Sequence, residues 1–201
     1  LKGLNPKVRK NYLANMIVSL FFRDQQIYDR IRKEYGFNPP SVMLVSPTMR
    51  CNYKCGGCYA ANYTRDDDLP AEVFDRVVTE AEKLGIKFMP ILGGEPFVYK
   101  PLLDIFRKHP KACFQPYSNG CLIDKEMART LVKLGNVAPM ISIEGFEEQT
   151  DARRGKGAFE RAMNAMDNLR EAGCLLGFSV MVDRENIDAV TSNEFIDLMI
   201  E

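Results

Sequence analysis

Histidine occurs once among the 201 residues, tryptophan never, and net charge is absent, 27 Lys and Arg balancing 27 Asp and Glu. That balance excludes the basic footprint nucleic-acid binders carry, so no nucleic-acid partner is expected. Long apolar runs are missing too. The most apolar stretch, 13–22 (LANMIVSLFF), is too short to span a bilayer and reads as a buried or interfacial helix. Arg23-Asp24-Gln25-Gln26 follows it directly where a leader would need a small-residue cleavage site. There is no second Cys-x2-Cys pair. With His109 as the lone imidazole, the four-ligand set of a structural zinc site is incomplete. Internal repeats and low-complexity tracts are likewise absent.

What is present suits a globular protein of one main domain. Apolar residues make up 46% of the chain, enough for a core that needs no disulfides. Six cysteines without a visible leader fit a reducing compartment, and a cytoplasmic location is expected.

Three of those cysteines, Cys51, Cys55 and Cys58, stand at C-x3-C-x2-C spacing in CNYKCGGCY. Thiolates hold iron–sulfur clusters, normally four to a [4Fe–4S] cube. A cube held here keeps one iron without a protein thiolate, free to chelate a ligand through an amine and a carboxylate. Gly56 and Gly57 suit a loop that curls tightly.

Around this loop the pattern alternates. A helical segment from Asn5 to Tyr35 is followed by predicted strands at 42–46, 87–92, 112–117, 138–143 and 175–182. Helices are predicted between them over 71–84, 102–108, 125–134 and 158–172, with a further helix starting near Asn193. Strands separated by helices of this length imply βα units and a parallel sheet. The polar motifs follow strands, where parallel α/β folds place their binding loops.

The cysteine spacing, followed by Gly93-Gly94-Glu95-Pro96 after the second strand, resembles the radical S-adenosylmethionine (radical SAM) superfamily from about Ser41 onward. Asp151-Ala152-Arg153-Arg154-Gly155 resembles the D-x-x-R-G stretch of its SPASM-type branch. The resemblance implies a partial (β/α) barrel, TIM-barrel-like, over residues 41–201, preceded by a helical extension over 1–40. It implies an oxidoreductase that binds a [4Fe–4S] cluster and S-adenosylmethionine (SAM). Reductive cleavage of SAM to a 5′-deoxyadenosyl radical, then hydrogen abstraction from substrate, is the implied reaction.

By the same resemblance Cys51, Cys55 and Cys58 ligate the cluster. Gly93, Gly94, Glu95 and Pro96 form the SAM-amine motif, with the glutamate as ammonium acceptor. Ser118, Asn119, Ser142 and Glu144 meet the ribose and carboxylate, and Arg154, rather than Arg153, pairs with the carboxylate. Two features depart from the pattern. Gly57 stands where an aromatic usually precedes the third cysteine, so Tyr59 is expected to supply the adenine contact. Cys113, Cys121 and Cys174 match no auxiliary-cluster spacing; Cys113 and Cys174 read as core, and Cys121 as a residue near the site mouth.

Five βα units are counted where the family barrel has six. The last strand, nearly all apolar, is expected to be covered on both faces, and the chain to be part of a longer enzyme. An external flavodoxin- or ferredoxin-like donor is implied. The substrate stays open between a peptide or protein and a lipid or small molecule, the latter with peripheral membrane association through the N-terminal helix. The competing function is a non-catalytic iron–sulfur redox or metal-sensing protein.

Overall fold

The computed structural model describes residues 3–13, 15–16, 25–63 and 68–200. Asn5 caps a short helix, α1 (Pro6–Val8), by accepting the Lys7 N–H at 2.9 Å. The chain then widens into a π-turn at Arg9–Leu13. Helix α2 (Gln25–Tyr35) follows. The helix expected over 5–35 is seen at both its ends, with the π-turn in its first part, and its central part, with Ile17, Leu20 and Phe21, lies outside the described residues.

This N-terminal segment packs on the core. Val8 and Tyr12 are buried, Asn5 N–H donates to the Gly173 carbonyl, and the Cys113 thiol donates to the Tyr12 carbonyl. Among the described residues no helix is long and apolar enough to cross a membrane.

Next come α3 (Ala71–Lys83), β1 (Phe88–Ile91), α4 (Leu102–Lys108), β2 (Cys113–Ser118), α5 (Lys125–Leu134) and β3 (Met140–Ser142). They are followed by α6 (Glu147–Arg154), α7 (Ala158–Ala172), β4 (Gly177–Ser179), α8 (Ile187–Val190) and α9 (Asn193–Ile200). The four strands form one parallel sheet in sequence order, the arrangement that successive βα crossovers produce. Phe88 stands opposite Cys113, Tyr117 opposite Met140, and Ser142 opposite Ser179.

The first expected strand, 42–46, is reduced to isolated parallel bridges from Val42 to Phe88 and Val45 to Ile91. Pro39-Pro40 before it and Pro47 after it lack the N–H groups a longer ladder needs. It still lies on the β1 edge, Met43 N–H donating to the Phe88 carbonyl and Val45 N–H to that of Pro90.

The helices supply the covering layer. Phe74, Val78, Phe106, Leu131 and Leu169 are buried with strand residues Met89, Phe114 and Ile141. Gly135 and Gly173, both left-handed, end α5 and α7.

The cover expected over the last strand is not supplied by the described residues. The apolar segment 175–182 is not covered on both faces: Phe178 is 39% exposed, Met181 56% and Val182 53%. Among the described residues β4 pairs only with β3, and Phe178 finds cover edge-on against Phe195. Apolar composition states what a strand can bury, whereas topology decides whether a neighbour is there.

Candidate metal and cofactor site

The loops that leave the C-terminal ends of the strands are tied together. The clearest tie is a backbone crossing between Gly93-Gly94 and the segment entering the cysteine loop. Gly94 N–H donates to the Thr48 carbonyl at 2.9 Å and Glu95 N–H to that of Arg50 at 2.8 Å. A Cβ on Gly93 would stand 2.2 Å from the Thr48 oxygen, and one on Gly94 2.1 Å from the Arg50 oxygen. Gly93 also has φ +109°, a conformation that side chains oppose. Glycine is therefore required at both positions by close approach, and the crossing fixes the backbone immediately before Cys51.

Tyr59 ties the far side of the loop to the same place. Its hydroxyl accepts the Gly93 N–H at 2.9 Å and lies 3.3 Å from the Gly93 carbonyl, while the residue stays 56% exposed. Arg50 pairs with Asp68, and the Thr48 hydroxyl donates to the same carboxylate at 2.6 Å. Arg50, next to Cys51, thus takes part in holding the loop's entry.

Cys51, Cys55 and Cys58 are free and half-buried on this loop. Tyr53 N–H points at Cys51 Sγ from 3.4 Å, and Asn119 Nδ2 lies 3.9 Å from it. Partial burial raises the Cys51 and Cys55 thiols above their ordinary value; the Tyr53 N–H opposes this at Cys51, and the charges of Arg154 and Arg153 oppose it at Cys55. The thiols are thus not ionised by their surroundings. A metal would supply the deprotonating charge.

Whether the loop suits a cluster turns on its donors. Among the described residues no three Cys, His, Asp or Glu side chains are gathered closely enough for one metal ion. A cube attaches each thiolate to a different iron, so its sulfurs stand farther apart than around a single ion. The other cysteines are elsewhere: Cys113 and Cys174 are buried, their thiols pushed up to about 12 by burial, and Cys121 lies beside Tyr53 and Arg161. His109 faces Glu82 and Asp75 of α3 at 3.0 and 3.1 Å, away from any cysteine ligand role. One further observation favours an anionic guest. Arg153 Nη1 is buried without a hydrogen bond, although Glu144 Oε2 is 3.3 Å away. Three thiols, no fourth thiol or imidazole beside them among the described residues, and an unsatisfied cationic donor fit a cluster with one open iron.

Several of the residues expected at the cofactor have partners within the fold. Glu95, read as the ammonium acceptor, is 1% exposed. Its carboxylate accepts Ser118 Oγ–H at 2.9 Å, Asn119 N–H at 2.8 Å and Phe97 N–H at 3.2 Å. Burial raises its pKa despite these bonds. Glu95 therefore joins the turn after β1, where Pro96 opens a short 3-10 helix, to the end of β2. What this motif leaves for a ligand is its backbone. Ser118 and Asn119 are engaged likewise, Ser118 Oγ accepting the Gly120 N–H and the Asn119 amide donating to Asn52 Oδ1 at 2.7 Å. Asn52, inside the C-x3-C spacer, went unnoticed in the sequence because its partner lies 67 positions away.

Glu144 is similarly internal. It is 1% exposed, receives Arg154 Nε and Nη2 on one oxygen at 2.9 and 2.6 Å, and takes the Met181 N–H at 2.9 Å on the other. Arg154, expected at a SAM carboxylate, is held by this carboxylate. Ser142, two residues before it at the end of β3, stays half-buried. Arg153, passed over in the sequence, is the arginine that touches the cysteine loop: its Nε donates to the Gly56 carbonyl at 3.1 Å, and its own carbonyl accepts the Gly56 N–H at 2.9 Å. Both arginines project from α6, a helix the sequence analysis did not predict. Asp151 of the same helix accepts the Phe159 N–H at 2.9 Å and so fixes the start of α7. Beside them, Arg161 of α7 reaches Tyr53 of the loop, Nε to hydroxyl at 2.5 Å.

Comparison with known proteins agrees with this arrangement. The Radical SAM superfamily model matches residues 45–195. The chain is 31% identical over 161 residues to Fe-coproporphyrin III synthase of Methanosarcina barkeri, covering 77% of this chain and 40% of that protein. It is 32% identical over 161 residues to mycofactocin maturase MftC of Mycolicibacterium smegmatis, covering 77% and 41%. The chain thus spans about two fifths of the length of these curated relatives. Among solved structures, Streptococcus suis SuiB bound to S-adenosylmethionine superimposes with TM-score 0.69 at 23% identity, covering 86% of this chain and 41% of SuiB. That likeness establishes the fold. With the family model spanning the cysteine loop, the glycine crossing and every strand of the sheet, the chain belongs to the radical SAM superfamily.

Proposed function

We propose that this chain is the core of a radical SAM enzyme, in which Cys51, Cys55 and Cys58 hold a [4Fe–4S] cluster whose fourth iron takes SAM. The observation that carries the reading is a loop of three free cysteines, fixed by the Gly93-Gly94 crossing, with no fourth thiol or imidazole among the described residues to complete it. When bound, the group supplies one-electron cleavage of SAM to methionine and a 5′-deoxyadenosyl radical that abstracts hydrogen from substrate.

The chain's own residues do the rest. The cysteines anchor the loop's guest, and the Gly93-Gly94 backbone offers carbonyl acceptors for the SAM ammonium. The exposed Tyr59 ring provides an apolar face for the adenine. Ser142, together with Ser118 and Asn119 at the end of β2, lines the approach to the ribose. The Glu144–Arg154 pair keeps the adjoining wall rigid, which limits water and stray hydrogen donors. The electron comes from an external flavodoxin- or ferredoxin-like donor.

A peptide or protein is the substrate class we favour, because relatives include a sporulation killing factor maturation protein of Bacillus subtilis and a PqqA peptide cyclase of Granulibacter bethesdensis. A small-molecule substrate is the second reading, favoured by the likeness to Fe-coproporphyrin III synthase.

Anaerobic reconstitution with iron and sulfide tests the proposal. The expected result is a broad absorbance from the cluster and release of 5′-deoxyadenosine from SAM, both lost in Cys51→Ala, Cys55→Ala and Cys58→Ala. Calorimetry separates the alternatives: cluster-loaded protein that gives no heat with SAM is a redox or sensing protein, and the enzymatic reading is then wrong.

A further inference from the structure

Arg153 and Arg154 are neighbours on α6 with different attachments. Arg154 lies entirely on Glu144. Arg153 grips the Gly56 residue from both sides, Nε–H to its carbonyl and backbone carbonyl to its N–H, at 3.1 and 2.9 Å. Gly56 sits between Cys55 and Cys58, so this clamp acts on the middle of the loop, between the ties that Gly93-Gly94 makes before Cys51 and at Tyr59. The side chain is 19% exposed, and its Nη1, buried and without a hydrogen bond, stands 3.3 Å from Glu144 Oε2.

Charge completes the picture. Two guanidinium groups, those of Arg154 and Arg153, bear on Cys55 and face the Glu144 carboxylate, with the buried Glu95 carboxyl also in reach of Arg154. Three thiolates and their cluster gain negative charge on reduction, and a fixed, poorly hydrated cation beside them stabilises that state more than the oxidised one.

We propose that Arg153 is a positioning residue for the cluster, clamping the Cys55–Cys58 half of the loop through Gly56 and holding a positive charge that favours the reduced state. The proposal rests on the cluster reading above and deepens it. Groups that orient ligands from outside typically account for about 10–100-fold in metal affinity.

Arg153→Met removes the Nε donor and the charge while keeping an apolar stem, and Arg153→Lys keeps the charge while losing the planar fork. Both leave Glu144 paired with Arg154. Iron release to a chelator and the midpoint potential, followed by the electron paramagnetic resonance of the reduced cluster, are measured on full-length reconstituted chains. Arg153→Met is expected to release iron about tenfold or more faster than the wild type and to show a lower potential. Arg153→Lys is expected to release iron faster while keeping a potential near the wild type. Wild-type release and potential in Arg153→Met overturn the proposal. If Arg153→Met does not fold, Arg153→Lys alone decides: unchanged release there also overturns it. A wild-type chain that takes up no cluster refutes the cluster reading itself, a result distinct from a loaded wild type whose variants match it.

Discussion

Alanine at Gly94 offers the sharpest measure of how the cysteine loop is held. Its Cβ would lie 2.1 Å from the Arg50 oxygen, 2.5 Å from the Arg50 carbonyl carbon and 2.7 Å from the Met49 oxygen, all main-chain atoms that no rotamer change can move. The two loops must part, which breaks the bonds Gly94 N–H to Thr48 and Glu95 N–H to Arg50. Each is worth about 1 kcal/mol, and the residual overpacking adds about 1–2 kcal/mol. A destabilisation of about 3 kcal/mol lowers the melting temperature of a chain this size by about 6–12 °C. Two other glycines set the scale. Gly57→Ala meets nothing within 4 Å but must hold φ +66°, at a cost of about 1–2 kcal/mol. Gly56→Ala adds a Cβ only 3.9 Å from its nearest neighbour and has no positive φ to hold, so it should be near neutral. Thermal melts of the cluster-free chains should therefore rank Gly56→Ala, Gly57→Ala, Gly94→Ala in rising damage, and Gly94→Ala should also take up the least iron. A Gly94→Ala chain that melts with the wild type refutes the crossing as the loop's anchor.

Other expectations follow from the same geometry. Iodoacetamide at mildly alkaline pH should label the half-buried Cys51, Cys55, Cys58 and Cys121 in the native, cluster-free chain; Cys113 and Cys174, their thiols pushed up to about 12, should react only after denaturation, as peptide mass spectrometry would show. Glu95→Gln puts an NH2 group where the carboxylate accepted N–H or O–H bonds, a loss of about 1–3 kcal/mol in urea unfolding. Because burial raises the folded pKa of Glu95 above its unfolded value of 4.5, its contribution to stability is greatest below that value and falls as pH rises through the folded pKa. The advantage of the wild type over Glu95→Gln should shrink over that interval. His109→Ala removes the imidazole that joins Asp75 and Glu82 of α3 to the end of α4, leaving Asp75 only its Lys108 partner; with about 1–2 kcal/mol lost, a melting point lower by about 2–8 °C is expected. The bond from His109 holds the Asp75 carboxyl below its ordinary value, so this pairing supports the fold above pH 3.8 and fails as pH falls through the depressed pKa.

Much of this was readable from local pattern. The helices at 102–108, 125–134 and 158–172 have the expected limits, with Gly135 and Gly173 ending the last two. The cysteine spacing and Gly93-Gly94 are likewise properties of short stretches, and a short stretch is where one sequence speaks clearly. Strand order follows from βα alternation, because parallel neighbours need a crossover between them.

Tertiary structure decided which polar residues have their partners inside the fold. Glu95 and Glu144 read as ligand contacts by position, yet each finds its donors on segments distant in sequence, Ser118 and Asn119 for the first, Arg154 and Met181 for the second. A buried carboxylate must be satisfied somewhere, and composition cannot say whether a ligand or the protein does it. The same holds for adjacent Arg153 and Arg154: the sequence favoured Arg154 for its place before Gly155, and only the approach of α6 to Gly56 gave Arg153 to the cysteine loop and Arg154 to Glu144. Chain order fixes the chemistry a residue can offer, and contacts between remote segments fix where that chemistry is directed.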